Sequence, residues 1–164
     1  MPFNIVLVSP QIPNNTGNIG RLCVATNSVL HLVEPLGFKL TDKMIKRAGL
    51  SYWQYLEHYK YKSLKTFMQA GADKNMVFFS SNAQTPYWDC TFEENDFFVF
   101  GREEDGFPAD ILAANKERLF TIPQYNPNVR SLNLSNAVAI VLYEALKQQM
   151  QAQKRKAAPT DWRP

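Results

Sequence analysis

Short apolar segments alternate with helix-forming segments along the chain, and this alternation limits the fold more than any other feature. Five segments read as strands buried on both faces of a sheet: 3–8, 29–33, 75–80, 96–100 and 118–122. Apolar residues at three- and four-residue spacing, with capping residues, predict four helices: 18–27, 63–70, 108–115 and 135–153. The pattern predicts an α/β fold, with a mostly parallel sheet flanked by helices.

The size and charge of the chain predict one domain with a short basic tail. A length of 164 residues with 45% hydrophobic residues is suited to a single core. From Lys147 onwards the formal charge is +4, whereas the residues before it sum to −1. We expect the domain to span residues 1–153 and residues 154–164 to form a mobile basic tail.

The cysteine content and the hydropathy indicate the compartment. Cys23 and Cys90 lie in apolar or aromatic surroundings, without a second Cys or a His at ligand spacing. This predicts neither a disulfide framework nor a zinc site, and it favours the reducing cytoplasm. No apolar run approaches the length needed to span a bilayer, so we expect a protein that is neither secreted nor embedded in a membrane.

Two segments carry strong local charge. Residues 39–65 contain seven Lys or Arg against two acids, a local charge of +5, with five Tyr or Trp among them. Such a segment can hold a polyanion by phosphate contact and base stacking, or it can be amphipathic, with a solvated basic face and a packed aromatic face. Residues 89–105 carry a local charge of −6 and should repel a nucleic acid backbone, so an RNA surface is expected away from them.

Two loops that follow predicted strands are rich in glycine and polar residues. Residues 9–21 lack both the dinucleotide fingerprint and the nucleotide-triphosphate loop, and Arg21 falls in the first turn of the predicted helix. A cation there opposes the helix dipole unless an anion binds beside it. In residues 100–108, Gly101 and Gly106 allow close approach of a ligand to the backbone. Their acidic neighbours suit an acid, a metal ligand or a solvated turn, but no histidines cluster nearby, so no metal is predicted.

A third polar segment, Arg130–Asn136, leads directly into the most apolar predicted helix. Its hydroxyl and amide groups, the free backbone N–H groups and the helix dipole together favour a small-molecule site. Asn133 or Ser135 can also simply cap the helix. Capping explains one such residue, whereas the segment has an Arg, two Ser and two Asn.

Three motifs in order give the chain a resemblance to a known family. They are Asn15–Arg21, Gly101–Gly106 with Glu103 between its glycines, and Arg130–Ala137 after the Ile122-Pro123 pair. This order resembles the SPOUT superfamily of RNA methyltransferases. Local matches at 34–38, 46–52 and 141–145 are most similar to its short branch, the tRNA (cytidine/uridine-34) 2′-O-methyltransferases.

The resemblance implies a fold, a cofactor and an assembly that periodicity does not. It implies a deep trefoil knot in the C-terminal part, an exception to the rule that chains avoid knots. It also implies that S-adenosylmethionine binds in the knot and that the protein is a homodimer whose tRNA-binding surface is completed across the interface. The implied reaction is 2′-O-methylation of the wobble nucleotide of tRNA, without a metal.

The resemblance also assigns residues to roles. Arg21 would engage the substrate phosphate and act on the hydroxyl, with Asn15 and Tyr143 as further catalytic candidates. A guanidinium stays protonated at physiological pH, so we expect Arg21 to orient the nucleotide and stabilise the developing alkoxide, not to take the proton. RNA contacts are expected from Arg21, Lys46, Arg47 and Arg130. The implied cofactor pocket comprises Phe79, Ser80, Gly101, Glu103, Gly106, Ile122, Ser131, Leu132 and Asn136.

One departure from the family pattern affects the second motif. This motif commonly reads Gly-Pro-Glu-Thr-Arg-Gly-Leu-Pro, whereas here Arg102 follows the first glycine and Asp105 stands where the Arg is usual. An RNA contact made there in relatives is therefore expected to be lost or moved.

Three alternative functions remain on sequence grounds. A 2′-O-methyltransferase acting on ribosomal RNA or another tRNA position would share the motifs. A non-catalytic RNA-binding protein would account for the basic segment but not for the three polar loops. A nicotinamide-dependent oxidoreductase would account for the strand-helix-strand opening, but its glycine fingerprint is absent.

Overall fold

A computed structural model describes residues 3–39 and 51–157. Within them, seven strands form one sheet: β1 (Asn4–Val8), β2 (Val29–Val33), β3 (His58–Tyr61), β4 (Met76–Phe79), β5 (Thr85–Pro86), β6 (Phe97–Phe100) and β7 (Leu119–Thr121). Their order is β3-β2-β1-β6-β4-β7-β5, and every neighbouring pair is parallel. The predicted α/β class with a parallel sheet is confirmed.

In the described ranges, four α-helices connect or follow these strands: α1 (Pro13–Ala25), α2 (Leu64–Ala70), α3 (Ala109–Ala114) and α4 (Leu134–Ala157). Short 3₁₀ turns occupy Ser51–Tyr55, Tyr87–Asp89 and Lys116–Arg118. Helices α1 and α4 cover one face of the sheet, and α2 and α3 cover the other. Along β1, Ile5 and Leu7 therefore face one core, while Val6 and Val8 face the second.

The sequence missed two of the seven strands. β3 has the sequence His-Tyr-Lys-Tyr and is only partly buried at the edge of the sheet, so it lacks the apolar run that identified the other strands. β5 is two residues long, too short for any periodicity to appear. The basic aromatic segment thus includes an edge strand, which agrees with the amphipathic interpretation of its C-terminal half.

The start of α1 was predicted five residues too late. The helix begins at Pro13, where a missing N–H is harmless and the fixed φ suits the first turn, instead of at residue 18. Its first turn buries the polar Asn15 and Thr16, which read as loop residues in the sequence. Arg21 consequently lies in the third turn, and the dipole argument for an anion beside it was wrong.

Helix α4 continues to Ala157, beyond the predicted end at residue 153. The first residues assigned to the tail are therefore helical, while residues 158–164 lie outside the described part of the chain. The division into a domain of residues 1–153 and a tail stays a prediction. So does the trefoil knot, because strand order and pairing do not define how the chain threads.

Two further sequence expectations concern the core and the membrane. Cys23 and Cys90 are both buried and free, and burial raises the pKa of each thiol to about 12. None of the helices in the described ranges has the length and apolar content needed to cross a membrane.

His31 is a buried polar residue at the centre of β2, as the sequence predicted for a core strand. Its Nδ1 lies 3.0 Å from the Tyr61 hydroxyl and its Nε2 lies 3.1 Å from Asn4 Oδ1. The rings of Tyr59 and Phe97 pack against it. Burial lowers the pKa of His31 to about 4, with Glu57 acting in the opposite direction. Since Asn4 Oδ1 can only accept, the neutral ring carries its proton on Nε2.

This pKa predicts a loss of stability at mildly acidic pH. Below pH 6.5 the unfolded chain binds a proton on His31 that the folded chain excludes, until the folded pKa near 4 is reached. The free energy of unfolding should therefore fall by about 2 kcal/mol from neutral pH to about pH 5 through this residue. Urea unfolding of the wild type and of His31→Gln at both pH values measures it. The free energy of unfolding of the variant should fall less on acidification than that of the wild type. Equal falls would contradict the lowered pKa of His31.

Candidate active site

Three adjacent strands end at one cavity of about 840 Å³. β4 contributes Phe79, β6 contributes Phe100 and the following Gly101, and β7 is followed by Ile122. The carboxyl ends of parallel strands are where α/β sheets bind ligands, because the connecting loops diverge there. The volume lies within the range of about 300–1,000 Å³ that is usual for small-molecule sites.

The cavity is lined by the predicted cofactor residues with one exception. Residues of the predicted set that line it are Phe79, Ser80, Gly101, Glu103, Gly106, Ile122, Ser131 and Leu132. Asn136, which is exposed on the first turn of α4, does not line it. Its contact with a cofactor stays a prediction.

Several lining residues were not predicted. They are Ser81, Asn82, Phe100, Arg102, Glu104, Asp105, Gln124, Leu134 and Ala137. Ala137 had a usable signal, since a small residue in the first turn of a helix leaves room for a ligand at the helix N-terminus. Phe100 directly precedes the second motif, and its ring stacks on that of Phe79 at 5.0 Å to form an apolar floor.

The second motif is a tight turn that requires its glycines. Arg102 N–H donates to the Gly106 carbonyl at 3.0 Å, and Gly106 N–H donates to the Arg102 carbonyl at 3.1 Å. Gly106 has φ +69°, and a Cβ at Gly101 would lie 2.5 Å from the Gly106 carbonyl carbon. Any side chain at Gly101 would therefore open the turn. Across it, Arg102 pairs with Asp105 at 3.2 Å.

Glu103, at the tip of this turn, holds the start of α1. Its Oε2 accepts from Gln11 N–H at 2.8 Å, and its Oε1 accepts from Ile12 N–H at 3.1 Å and from Asn15 Nδ2 at 3.3 Å. The N-cap residue Ile12 has no capping side chain of its own. A carboxylate suits this position because it satisfies free N–H groups and faces the positive end of the helix dipole.

Asn15 extends this network to the third motif. Its Oδ1 accepts from Asn133 Nδ2 at 2.9 Å. Asn133 Oδ1 in turn accepts from the N–H and the hydroxyl of Ser135, at 2.9 and 2.7 Å. Asn133 is thus the cap of α4, one of the two capping residues that the sequence offered. Asn15 is 3% exposed and joins Glu103 to Asn133, and its catalytic role stays a prediction.

The charges around the cavity are mixed. Glu104 and Asp105 border it together with Arg102 and Arg130. Glu104 is further tied to Gln11, which donates to its carboxylate at 3.4 Å and accepts from its N–H at 3.3 Å. A ligand that carries charges of both signs beside an apolar group fits this lining. In the described residues, no group of three or more His, Cys, Asp or Glu could hold a metal ion.

The other predicted catalytic and RNA-binding residues lie elsewhere, apart from Arg130. Arg21 is exposed on the third turn of α1, about 12 Å along the helix axis from its start. Tyr143 is 56% exposed on α4. Neither lines the cavity of its own chain. Lys46 and Arg47 lie outside the described residues, so their RNA contacts stay predictions.

Comparison with known proteins identifies the family. The sequence profile of the SpoU rRNA Methylase family matches residues 2–143. The chain belongs to this family. The resemblance to SPOUT methyltransferases is thereby confirmed, and all the residues that line the cavity lie within the matched range.

One relative and one solved structure are similar to this chain along nearly their whole length. A tRNA (cytidine(34)-2′-O)-methyltransferase of Burkholderia ambifaria is 45% identical over 150 residues, which cover 89% of this chain and 95% of that protein. A structure described as giving insights into the 2-OH methylation of C/U34 on tRNA has a TM-score of 0.83 and 38% identity. The match covers 91% of this chain and 97% of that one.

A more distant SpoU methyltransferase, from Streptomyces viridochromogenes, is known in complex with AdoMet. It has a TM-score of 0.76 and 20% identity, and the match covers 90% of this chain and 57% of that one. At this identity the likeness shows a shared fold.

The network predicts that Glu103 stabilises the SpoU domain. In Glu103→Gln, one carboxylate oxygen becomes an NH₂ group that faces a backbone N–H, and the charge at the helix dipole is lost. The free energy of unfolding should fall by about 1–3 kcal/mol, as measured by urea denaturation. Glu104→Gln, at the neighbouring and more exposed position, is the control and should change it by less than about 1 kcal/mol. Equal effects of the two changes would contradict the role of Glu103.

Proposed function

We propose that this protein transfers a methyl group from S-adenosylmethionine to the ribose 2′-oxygen of the wobble nucleotide of tRNA, a cytidine or modified uridine at position 34. The observation that carries the proposal is a cavity walled by the second and third motifs, with Asn15 of the first motif hydrogen-bonded to both, in a chain that is 45% identical to a tRNA (cytidine(34)-2′-O)-methyltransferase. We place the reaction in the cytoplasm, with the protein acting as a homodimer.

The lining of the cavity fits the cofactor. Phe79, Phe100 and Ile122 offer apolar surface for a flat adenine ring. Acidic and basic side chains on the rim suit the sulfonium, amino and carboxylate groups of one ligand. The open space beside Gly106, where a Cβ would meet nothing within 4 Å, leaves the backbone accessible. When bound, the cofactor supplies an electrophilic methyl group on a sulfonium sulfur.

The protein then has two tasks, to align the hydroxyl and to stabilise the charge that develops on it. We assign both to Arg21, whose guanidinium can contact a phosphate and the 2′-oxygen with separate N–H donors. Because a guanidinium does not accept a proton, the hydroxyl proton leaves to phosphate or water. Stabilisation of the developing alkoxide by a fixed donor is the kind of interaction that lowers a barrier most.

A second copy of the chain would bring Arg21 to the chemistry. Arg21 and Tyr143 do not line the cavity of their own chain, although both are exposed. On α4, Ile140, Tyr143 and Met150 form an exposed stripe at helical spacing, and such a stripe suits a partner. In a homodimer that uses this stripe, one copy would supply the cofactor cavity. The other copy would supply Arg21 and Tyr143.

Purified protein with S-adenosylmethionine should methylate tRNA that carries C34. The expected product is 2′-O-methylcytidine at position 34, detected by mass spectrometry of nuclease fragments. A tRNA with 2′-deoxycytidine at position 34 is the matched control and should gain no methyl group, because it lacks the acceptor oxygen. Methylation of ribosomal RNA or of another tRNA position instead would overturn the assignment of substrate.

The cavity itself can be tested by filling it. Ala137 lines the cavity from the first turn of α4, so Ala137→Phe should obstruct the ligand while the helix is retained. We expect at least about a tenfold loss of S-adenosylmethionine affinity by calorimetry, with the helical circular dichroism signal unchanged. Ala114→Phe, at the exposed end of α3, is the control. Wild-type affinity in the Ala137 variant would place the cofactor elsewhere.

Arg21→Lys separates the geometry of the guanidinium from its charge. Lysine retains the charge but loses the planar pair of donors. The rate constant of methyl transfer should therefore fall by about 100-fold in single-turnover assays. S-adenosylmethionine affinity should stay at the wild-type value, because Arg21 lies outside the cavity. Near-normal turnover would contradict the proposed role.

A further inference from the structure

One face of α1 is shaped to receive the segment Ser51–Tyr55. Gly17, Gly20 and Arg21 lie three and four residues apart and therefore share this face. A Cβ on Gly20 would lie 2.8 Å from Trp53 Cζ3 and 3.1 Å from Leu56 Cδ2, so the absence of a side chain lets the segment pack closely. This explains a glycine one residue before the proposed catalytic arginine.

Tyr52 makes two contacts with this face. One involves the backbone turn that carries Arg21, and the other involves the Arg21 guanidinium. Its hydroxyl donates to the Gly17 carbonyl at 2.6 Å. In an α-helix the same carbonyl accepts from the N–H of Arg21, four residues later. The Arg21 Cζ lies 4.9 Å from the centroid of the Tyr52 ring. Tyr52 therefore holds the backbone of this helical turn and the guanidinium that extends from it.

We propose that Tyr52 is a positioning residue for Arg21, which it holds by its ring in the orientation that meets the RNA. This inference rests on the proposed function of Arg21. A free arginine side chain has many rotamers, and ordering it on binding would weaken the interaction. Contact with the face of an aromatic ring fixes the guanidinium while its edge donors stay available for phosphate.

An aromatic partner suits this task better than a carboxylate. No ion pair of Arg21 with a carboxylate occurs among the described residues. A carboxylate would order the guanidinium but would also occupy its donors and oppose an incoming phosphate. Burial raises the pKa of Tyr52 above its ordinary value, while the charge of Arg21 and a hydrogen bond from its side chain act in the opposite direction. The hydroxyl therefore stays protonated at neutral pH and remains a donor to Gly17.

Two substitutions separate the ring from the hydroxyl. Tyr52→Leu removes both contacts, and we expect kcat/KM for tRNA to fall by about tenfold. Tyr52→Phe keeps the ring and should lose less than about threefold. Both variants should bind S-adenosylmethionine with wild-type affinity, which a general loss of structure would not allow. A Phe variant as impaired as the Leu variant would show that the ring contact is not what matters.

A double-mutant cycle tests whether Tyr52 acts through Arg21. In an Arg21→Ala background, Tyr52→Leu should cause no further loss of tRNA affinity, measured by filter binding. An equal loss in both backgrounds would overturn the proposal, because Tyr52 would then contact RNA or support the fold independently.

A measurement without substrate keeps this test separate from the proposed function. The Arg21 Nε–H resonance of the free protein, assigned through Arg21→Lys, should lose its ring-current shift in Tyr52→Leu and keep it in Tyr52→Phe. If the wild type fails to methylate position 34 but shows this pattern, the proposed function fails and the contact stands. An unchanged resonance in Tyr52→Leu overturns the positioning role whatever the substrate.

Discussion

The contact between the Glu103 carboxylate and the start of α1 is the interaction on which the site depends. Helix α1 has no capping side chain at its N-terminus, and the acceptor comes from a turn about ninety residues later. That turn can present the carboxylate only because Gly101 and Gly106 let it close on itself. Asn15 is hydrogen-bonded both to Glu103 and to Asn133, which precedes α4. Hydrogen bonds at the edge of an apolar core thus hold together the start of α1, the turn that carries Glu103 and the segment that carries Asn133.

This arrangement separates two requirements that the chemistry imposes. The cavity must be rigid, and its walls are joined by hydrogen bonds among the Glu103 carboxylate and the amides of Asn15 and Asn133, of which Asn15 is buried. In the proposed reaction, Arg21 must remain exposed to meet the tRNA, and on the outer face of α1 its guanidinium contacts the ring of Tyr52. Both requirements act on the same helix. Its start is held by Glu103, which lines the cavity, whereas its third turn carries Arg21.

The sequence predicted the layers of the fold because buried parallel strands are apolar throughout, and β2 was located at its observed bounds. The sequence-based prediction failed where a local structure is stabilised by residues that are distant in the chain. The start of α1 read as a loop, since Asn15 and Thr16 look solvated until Glu103 and Asn133 are brought beside them. The polar groups of Arg130–Asn136 indicated one wall of the cavity, and the other walls followed from the resemblance, not from periodicity. The contact of Tyr52 with Arg21 had no signal in the sequence, because it joins a 3₁₀ turn to a helix 31 residues earlier.

The departure in the second motif has a structural consequence for anion binding. Where relatives commonly carry an arginine, this chain has Asp105, and its Arg102 pairs with that carboxylate across the turn. An ion pair with both members partly exposed contributes little to stability, but it neutralises the cation that borders the cavity. No ion pair of Arg130 with a carboxylate occurs among the described residues. Arg130 and the backbone N–H groups at the start of α4 therefore remain to attract an anionic group at this rim.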